Sequence, residues 1–182
     1  MDDIVEIIPN RLYSIKYEEE DTAEYYRLFN IEWTDVGYLL EFFQSHTEFT
    51  ENAFWGFLSN DPEKAVANVL KDAHLLEPYL IELANNSNKG EHPDLDNYFK
   101  PLNGKYAYDI EHVPMKGYGV LESTFLRLYA IKIEVNCYLI VYGGIKLNNS
   151  IQNSPDLQDK VFKKIDRVRK FLVDMGIDKD DI

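Results

Sequence analysis

Two runs late in the chain set the hydrophobic pattern: FLRLYAIKI from Phe125 and YLIVYGGIK from Tyr138, separated by the polar EVNC. Both are rich in β-branched and aromatic residues, and a short polar break between such runs predicts a β-hairpin over Phe125 to Lys146. Strict alternation would place Leu126, Leu128 and Ala130 on one face, opposite Phe125, Arg127, Tyr129 and Ile131. In the second run it would place Leu139, Val141 and Ile145 opposite Tyr138, Ile140, Tyr142 and Lys146. Each strand thus has one plainly apolar face, while the other carries rings and a cation, Arg127 or Lys146. That second face reads either as an ordinary amphipathic sheet surface or as a groove for something anionic. Gly143 and Gly144 are too short a pair for a phosphate loop and predict a bulge or bend.

Earlier in the chain, Arg11 to Tyr17 alternates as a strand and is followed by an acidic turn, Glu18 to Asp21. Tyr25 to Trp33 fits either a strand or a helix, and its aromatic content favours a second strand pairing back on the first. Val36, Leu39, Leu40 and Phe43 recur at helical spacing, predicting a helix over Asp35 to Ser45 capped by Thr34 or Asp35. Phe49 to Phe57 holds three Phe and Trp55, a density expected of core or of an aromatic lid. Asn60, Asp61 and Pro62 start a helix whose stripe runs from Ala65 to Leu83, with Pro78 expected to kink or split it. Asn85 to Pro93 reads as the main break in the chain, with a short helix, Asp94 to Phe99, after it. Tyr106 to Gly119 looks irregular and tyrosine-rich. A last helix begins at Ser154 and Pro155, with Leu157, Val161, Ile165, Val168 and Leu172 inward and Lys160, Lys163, Lys164, Arg167, Arg169 and Lys170 around them. The tail GIDKDDI is acidic and is expected to fray.

Composition narrows the function classes. With 182 residues, 45% apolar, the chain can bury one sizeable core, and its longest apolar run is only about one strand long, so no membrane segment is expected. A single cysteine, Cys137, allows no internal disulfide, and the start MDDIVEIIPN lacks the basic and apolar regions of a signal peptide, so a reducing cytoplasm is the expected location. Cys137 itself reads as an inert thiol. The net charge of −13 opposes general nucleic-acid binding. It is unevenly spread: residues 1 to 104 hold 7 Lys and Arg against 21 Asp and Glu, and residues 105 to 182 hold 12 against 11, so the front carries −14 and the rear +1. His46, His74, His92 and His112 lack ligand spacing, so no metal or cofactor is expected. No dinucleotide fingerprint, Walker loop, nucleophile elbow, EF-hand loop or solenoid repeat is present.

The order PLNGKYAYDIEHVPMKG, FLRLYAIKI, CYLIVYGGIKL and VFKKIDRVRKFL, over residues 99 to 175, resembles the RelE/HigB-like toxin superfamily of bacterial toxin-antitoxin systems. The resemblance implies an α+β fold: a small twisted antiparallel sheet with helices packed on one face. Residues 1 to 98 would be an acidic strand and helix addition to it, and the whole, 1 to 182, one compact domain. It also implies messenger RNA cleavage without a metal, often on the ribosome, and a cognate helix-turn-helix antitoxin as partner. Such chemistry needs a group that activates a ribose 2′-hydroxyl, a cation at the phosphate and a proton for the leaving oxygen. By the resemblance Arg127 and Lys146 would be the phosphate cations and Tyr129 and Tyr142 would stack on bases or move protons. Lys132 and Arg167, with Lys163 and Lys164 on the last helix, would bind RNA. The chain departs from the family in lacking a basic cluster at its extreme C-terminus and a histidine in its central strands, and in its acidity. A noncatalytic protein-interaction module on the same fold, a regulator or an antitoxin-binding protein, is the rival reading.

Overall fold

The structure, a computed structural model, describes residues 1–50, 61–104, 106 and 111–177, with the side chains of Phe49 and Thr50 left out. It has the expected α+β class. Six strands form one sheet in the order β1-β2-β6-β5-β4-β3. They are β1 (Asp3–Ile8), β2 (Leu12–Lys16), β3 (Lys100–Pro101), β4 (Val113–Tyr118), β5 (Leu126–Glu134) and β6 (Cys137–Ile145). The sheet is mixed: β2 lies parallel to β6 and the other neighbours are antiparallel. The β1-β2 hairpin therefore extends the late hairpin's own sheet.

Helices cover both faces, where one covered face was expected, because both faces of β5 and β6 are apolar and buried. On one face α4 (Pro62–Lys89), α2 (Val36–Ser45) and the segment Glu24–Glu32 pack onto Leu126, Leu128, Ala130, Tyr138 and Ile140. On the other, α6 (Gln158–Asp174) buries Val161, Ile165, Val168 and Leu172 against Ile131, Leu139 and Val141. Each such aliphatic side chain contributes roughly 1.5–3 kcal/mol by leaving water.

Several expectations from the sequence are corrected here. Tyr25 to Trp33 is not a strand: it is a helical turn α1 (Glu24–Tyr26) continued as a π-helix over Arg27–Glu32. Tyr25, Phe29 and Trp33 meet at four-residue spacing, tilted and then edge to face, with ring centroids 4.9 and 5.2 Å apart. A strand would instead have turned Arg27 and the half-exposed Ile31 onto the same face as those rings. The partner of β2 is β1, from the acidic start of the chain. Pro78 neither splits nor ends α4, which runs 28 residues. Leu76 and Leu80 are fully buried on either side of it, and packing of that stripe outweighs the roughly 3 kcal/mol a helical proline costs. The break expected from Asn85 begins only after Lys89, where Gly90 takes the left-handed conformation that ends the helix. Tyr106 to Gly119 contains β4, masked in the sequence by Pro114 and Gly117. Predicted starts at Asp35, Asp61 and Asp94 each hold: every one of these carboxylates accepts a backbone N–H three residues on. A short α3 (Thr47–Thr50) follows α2, and α5 (Leu95–Tyr98) follows α4. The aromatic run from Phe49 to Phe57 and the tail beyond Ile177 lie outside the described side chains.

The late hairpin's register shifts at two places, between Lys132 and Glu134 next to the turn and between Tyr129 and Ala130, and the second changes which residues meet. Tyr129 pairs with Tyr142 but Ala130 pairs with Ile140, so Val141 is an extra residue. Beyond it β6 is turned over: Ile145 joins the α4 face with Tyr138 and Ile140, and Tyr142 joins the α6 face with Leu139 and Val141. The expected pairing of Ile145 with Val141, and of Tyr142 with Tyr138, is thereby reversed. The bulge falls just before Gly143 and Gly144, which stay in register. They are small for contact reasons, since a Cβ on Gly143 would sit 2.4 Å from Leu28 and one on Gly144 2.5 Å from Asp156. Phe125, before β5, turns to Phe43 on the α4 face instead of joining Arg127.

The Tyr17 hydroxyl donates to the carbonyl of Val141 at 2.5 Å, giving a partner to an oxygen at the ladder's interruption. Tyr17 is 1% exposed. Tyr17→Phe is expected to destabilise the fold by about 1–3 kcal/mol, the cost of a buried acceptor left unpaired, read as a lower denaturant midpoint at unchanged slope.

Candidate functional site

The bulge decides which of the predicted site residues meet. Lys116 of β4 pairs with Tyr129 of β5, which pairs with Tyr142 of β6; Tyr118 pairs with Arg127, which pairs with Gly144. Side chains two apart on a strand share a face, so Lys116, Tyr118, Arg127, Tyr129, Tyr142 and Lys146 all belong to the α6 face. In unbroken register Tyr142 and Lys146 would have stood on the opposite side from Arg127.

Within this group the burial is graded. Tyr129 and Tyr142 are closed under the C-terminal segment, 1% and 6% exposed. The Tyr142 hydroxyl donates to the Asp156 carbonyl at 3.0 Å, and one Asp156 carboxylate oxygen accepts the Ile145 N–H at 2.8 Å, tying the loop after β6 down over the ring. Burial raises both phenols far above the ordinary tyrosine range, so neither exchanges a proton near neutrality. Arg127 is 8% exposed. One of its terminal nitrogens donates to the carbonyls of Thr124 and Leu126 at 2.9 and 2.7 Å, its Nε has no partner among the described residues, and its guanidinium lies 4.5 Å from the centre of the Tyr118 ring. Burial pulls its pKa down.

Lys146 and Lys116, each partly exposed, open onto a cleft of 470 Å³. Its rim is Asn103 and Gly104 after β3, and Asn149 and Gln152 in the loop after β6, with Phe162 of α6 at one side. That loop is shaped by Ser154, whose hydroxyl accepts the Asn148 N–H at 3.1 Å and donates to the Ser150 carbonyl at 3.0 Å. Desolvation, then the charges of Arg127 and Lys116, push Lys146 below the ordinary ammonium value. Among the described residues no carboxylate lies within ion-pair distance of Lys116, Arg127 or Lys146.

The other basic candidates are engaged elsewhere. Lys132 sits on the α4 face, 2.9 Å from Asp96 and over the Tyr138 ring. Burial pushes Asp96 up, but hydrogen bonds from Tyr138, Lys132 and Asn136 outweigh it and hold the carboxyl below its usual value. Lys164 and Arg167 pair with Glu19, and Arg167 also with Asp2. Lys164 lies 3.4 Å from the centre of the Tyr17 ring. Lys163 is exposed on α6 and has no ion pair among the described residues. Asp2 and Glu19, flanking the N-terminal strands, thus neutralise Lys164 and Arg167 of α6. Cys137 is buried, and its thiol is pushed up to about 11 by that burial, so it is not a nucleophile.

Three residues of this region were not singled out in the sequence. Lys116 and Tyr118 were hidden in a stretch read as irregular, though VPMKGY alternates once its proline is allowed at a strand end. Asp72, fully buried on α4, accepts the Val120 and Leu121 N–H groups at 2.7 and 3.1 Å and the Thr124 hydroxyl. It locks the turn whose Thr124 carbonyl holds Arg127, a role visible only in three dimensions.

Comparison of the chain with protein-family models, with curated protein sequences and with solved structures returns no match. No described helix is long and apolar enough to cross a membrane, and among the described residues no three His, Cys, Asp or Glu gather as a metal ion would require.

Two outcomes test this electrostatic picture. Lys146 is expected to be the lysine most reactive toward an acylating reagent near neutral pH, by peptide mapping of partial labelling, and Lys116→Gln to slow it because one repelling charge is gone. Glu19 is held down to about 2, chiefly by its hydrogen bonds from Arg167. A depressed carboxyl stabilises the fold above its unfolded value and loses that contribution as pH falls toward the folded one, so the Glu19 to Arg167 link weakens between about pH 4.5 and pH 2. Carboxyl NMR titration is expected to show the low value in the wild type and a higher one in Arg167→Ala, with Lys164 still holding it below the ordinary range.

Proposed function

We propose that this chain is a metal-free RNA-cutting protein of the RelE/HigB type, with the scissile phosphate seated between Lys116 and Lys146. One observation carries the reading. In a chain of net charge −13, Lys116 and Lys146 line one open cleft with the buried Arg127 on the same sheet face, and no described carboxylate pairs with any of the three. An anion is the partner such a cluster takes, and amides at the rim, Asn103, Asn149 and Gln152, suit phosphate and sugar oxygens.

In the proposed reaction the ribose 2′-oxygen attacks the adjacent phosphorus. A bond from phosphorus to the 2′-oxygen forms and the bond to the 5′-oxygen breaks, leaving a 2′,3′-cyclic phosphate and a 5′-hydroxyl. Lys146, with its lowered proton affinity, takes the proton that leaves the 2′-hydroxyl, and water supplies the proton that the departing 5′-oxygen takes up. Lys116 stabilises the crowded phosphate, and Arg127 adds field from beneath while fixing the Tyr118 ring. Tyr129 and Tyr142 take no proton role in this scheme and form the floor under the cations. A helix-turn-helix antitoxin, and the ribosome as the place of cutting, are the partners the reading implies.

A noncatalytic protein-interaction module is favoured by one fact, the sealing of both phenols beneath the loop tied by Asp156. Purified protein incubated with single-stranded RNA in EDTA distinguishes the two. Cutting is expected, with 2′,3′-cyclic phosphate ends. Lys146→Ala and Lys116→Ala are each expected to lower the rate by ~10²-fold or more and to reduce the salt slope of RNA binding by about 0.7. Salt-dependent binding without cutting overturns the catalytic reading, and neither binding nor cutting overturns the RNA reading and leaves the protein-interaction module.

A further inference from the structure

We infer that the aromatic cleft at the end of β4 is a nucleobase pocket continuous with the cationic cleft, so that the ligand is a single-stranded nucleotide chain. This rests on the phosphate reading of Lys116 and Lys146. The cleft encloses 550 Å³ between α4, α5 and the turn after β4. Leu75, Tyr118 and Val120, which are 43%, 39% and 38% exposed, meet there. A folded chain leaves such side chains in water singly, and three lining one hollow mark a surface with a use.

The walls are already in place. The Tyr98 hydroxyl donates to the Tyr118 carbonyl at 2.6 Å, and its ring lies over Gly117, where a Cβ would stand 2.4 Å from it. Tyr79 meets the Tyr98 ring edge to face at 6.2 Å. Asn97 uses its side-chain oxygen to accept the Asp94 N–H at 2.9 Å, and among the described residues nothing accepts its Nδ2 hydrogens. An amide donor beside aromatic rings is what the polar edge and the face of a base require.

The two clefts share no lining residue, and the link between them runs through Tyr118 and the cations beside its ring. Tyr118 lines the aromatic one, while the Arg127 guanidinium stands 4.5 Å and the Lys116 ammonium 5.9 Å from its ring centre. Lys116 lies two residues back along the same face, about 7 Å away, comparable to the reach from a base to its own phosphate. The polarity change from rings to cations therefore follows the change from base to phosphate within one nucleotide. An apolar peptide or a lipid chain would match the first half of this surface and not the second.

Titration of the full chain with adenosine 5′-monophosphate, ribose 5-phosphate and adenosine, followed by NMR, tests this. The nucleotide is expected to bind at least ~10-fold more tightly than either fragment, since one base stacked on aromatic side chains contributes about that factor. Tyr118→Ala is expected to reduce it to the level of ribose 5-phosphate. Because Tyr118 also touches Arg127, Leu75→Ser on α4 provides a second variant, expected to weaken the nucleotide and leave ribose 5-phosphate unchanged. Equal affinity for nucleotide and ribose 5-phosphate overturns the base pocket while leaving the phosphate cleft standing. Equal affinity for nucleotide and adenosine overturns the continuity and the phosphate reading together, as does binding of none of the three.

Discussion

The extra residue at Val141 is the constraint on which the candidate site depends. A strand has a side-chain period of two, so inserting one residue exchanges every later position between faces. In β6 this moves Tyr142 and Lys146 to the side of Arg127 and Tyr129, and Ile145 to the core under α4. The interruption would leave a carbonyl without a ladder partner, and the Tyr17 hydroxyl from the end of β2 accepts that task as donor. The N-terminal hairpin therefore contributes to the site without lining it. Its own place in the sheet, parallel to β6, brings Tyr17 to that carbonyl.

Charge is organised by the same arrangement. Asp2 and Glu19 bind Arg167, and Glu19 also holds Lys164, so the acidic front section meets the basic stripe of α6 on one side of the helix. At the other end Asp94 and Asp96 bind Asn136 in the β5-β6 turn, and Asp96 holds Lys132. Acidic side chains thus reach several basic residues of the rear section, while Lys116, Arg127 and Lys146 are left without described carboxylate partners. Formal charge alone argued against an anion site. The pairing pattern reverses that argument locally, because what a ligand meets is the residual charge in a cleft and not the sum over the chain.

The residues that aim the site come from far apart in sequence. Asp72 in the middle of α4 fixes residues 120 to 124, and the Thr124 carbonyl then holds Arg127. A buried carboxylate filled by three donors makes that turn a rigid support, which is what a fixed guanidinium beneath Tyr118 requires. The helical front section is in this sense part of the site's frame: it covers one face of the sheet and positions a cation on the other.

What the sequence determined by itself was local. Period-two and helical spacings placed β2, β5, β6, α2, α4 and α6, and Asp35 and Asp61 marked the starts of α2 and α4, because alternation and capping act over a few residues, whereas α6 starts at Gln158, later than the expected Ser154 and Pro155. Arg127 and Lys146 stood out as cations within apolar strands for the same reason. The π-helix at Arg27–Glu32, the continuation of α4 through Pro78 and the strand β4 escaped local reading, since in each case packing against distant residues outweighed propensity. The meeting of Lys116, Tyr118, Arg127 and Lys146 was decided only by tertiary structure. It follows from strand order and from one bulged residue, and no periodicity within a single segment encodes the register between two strands.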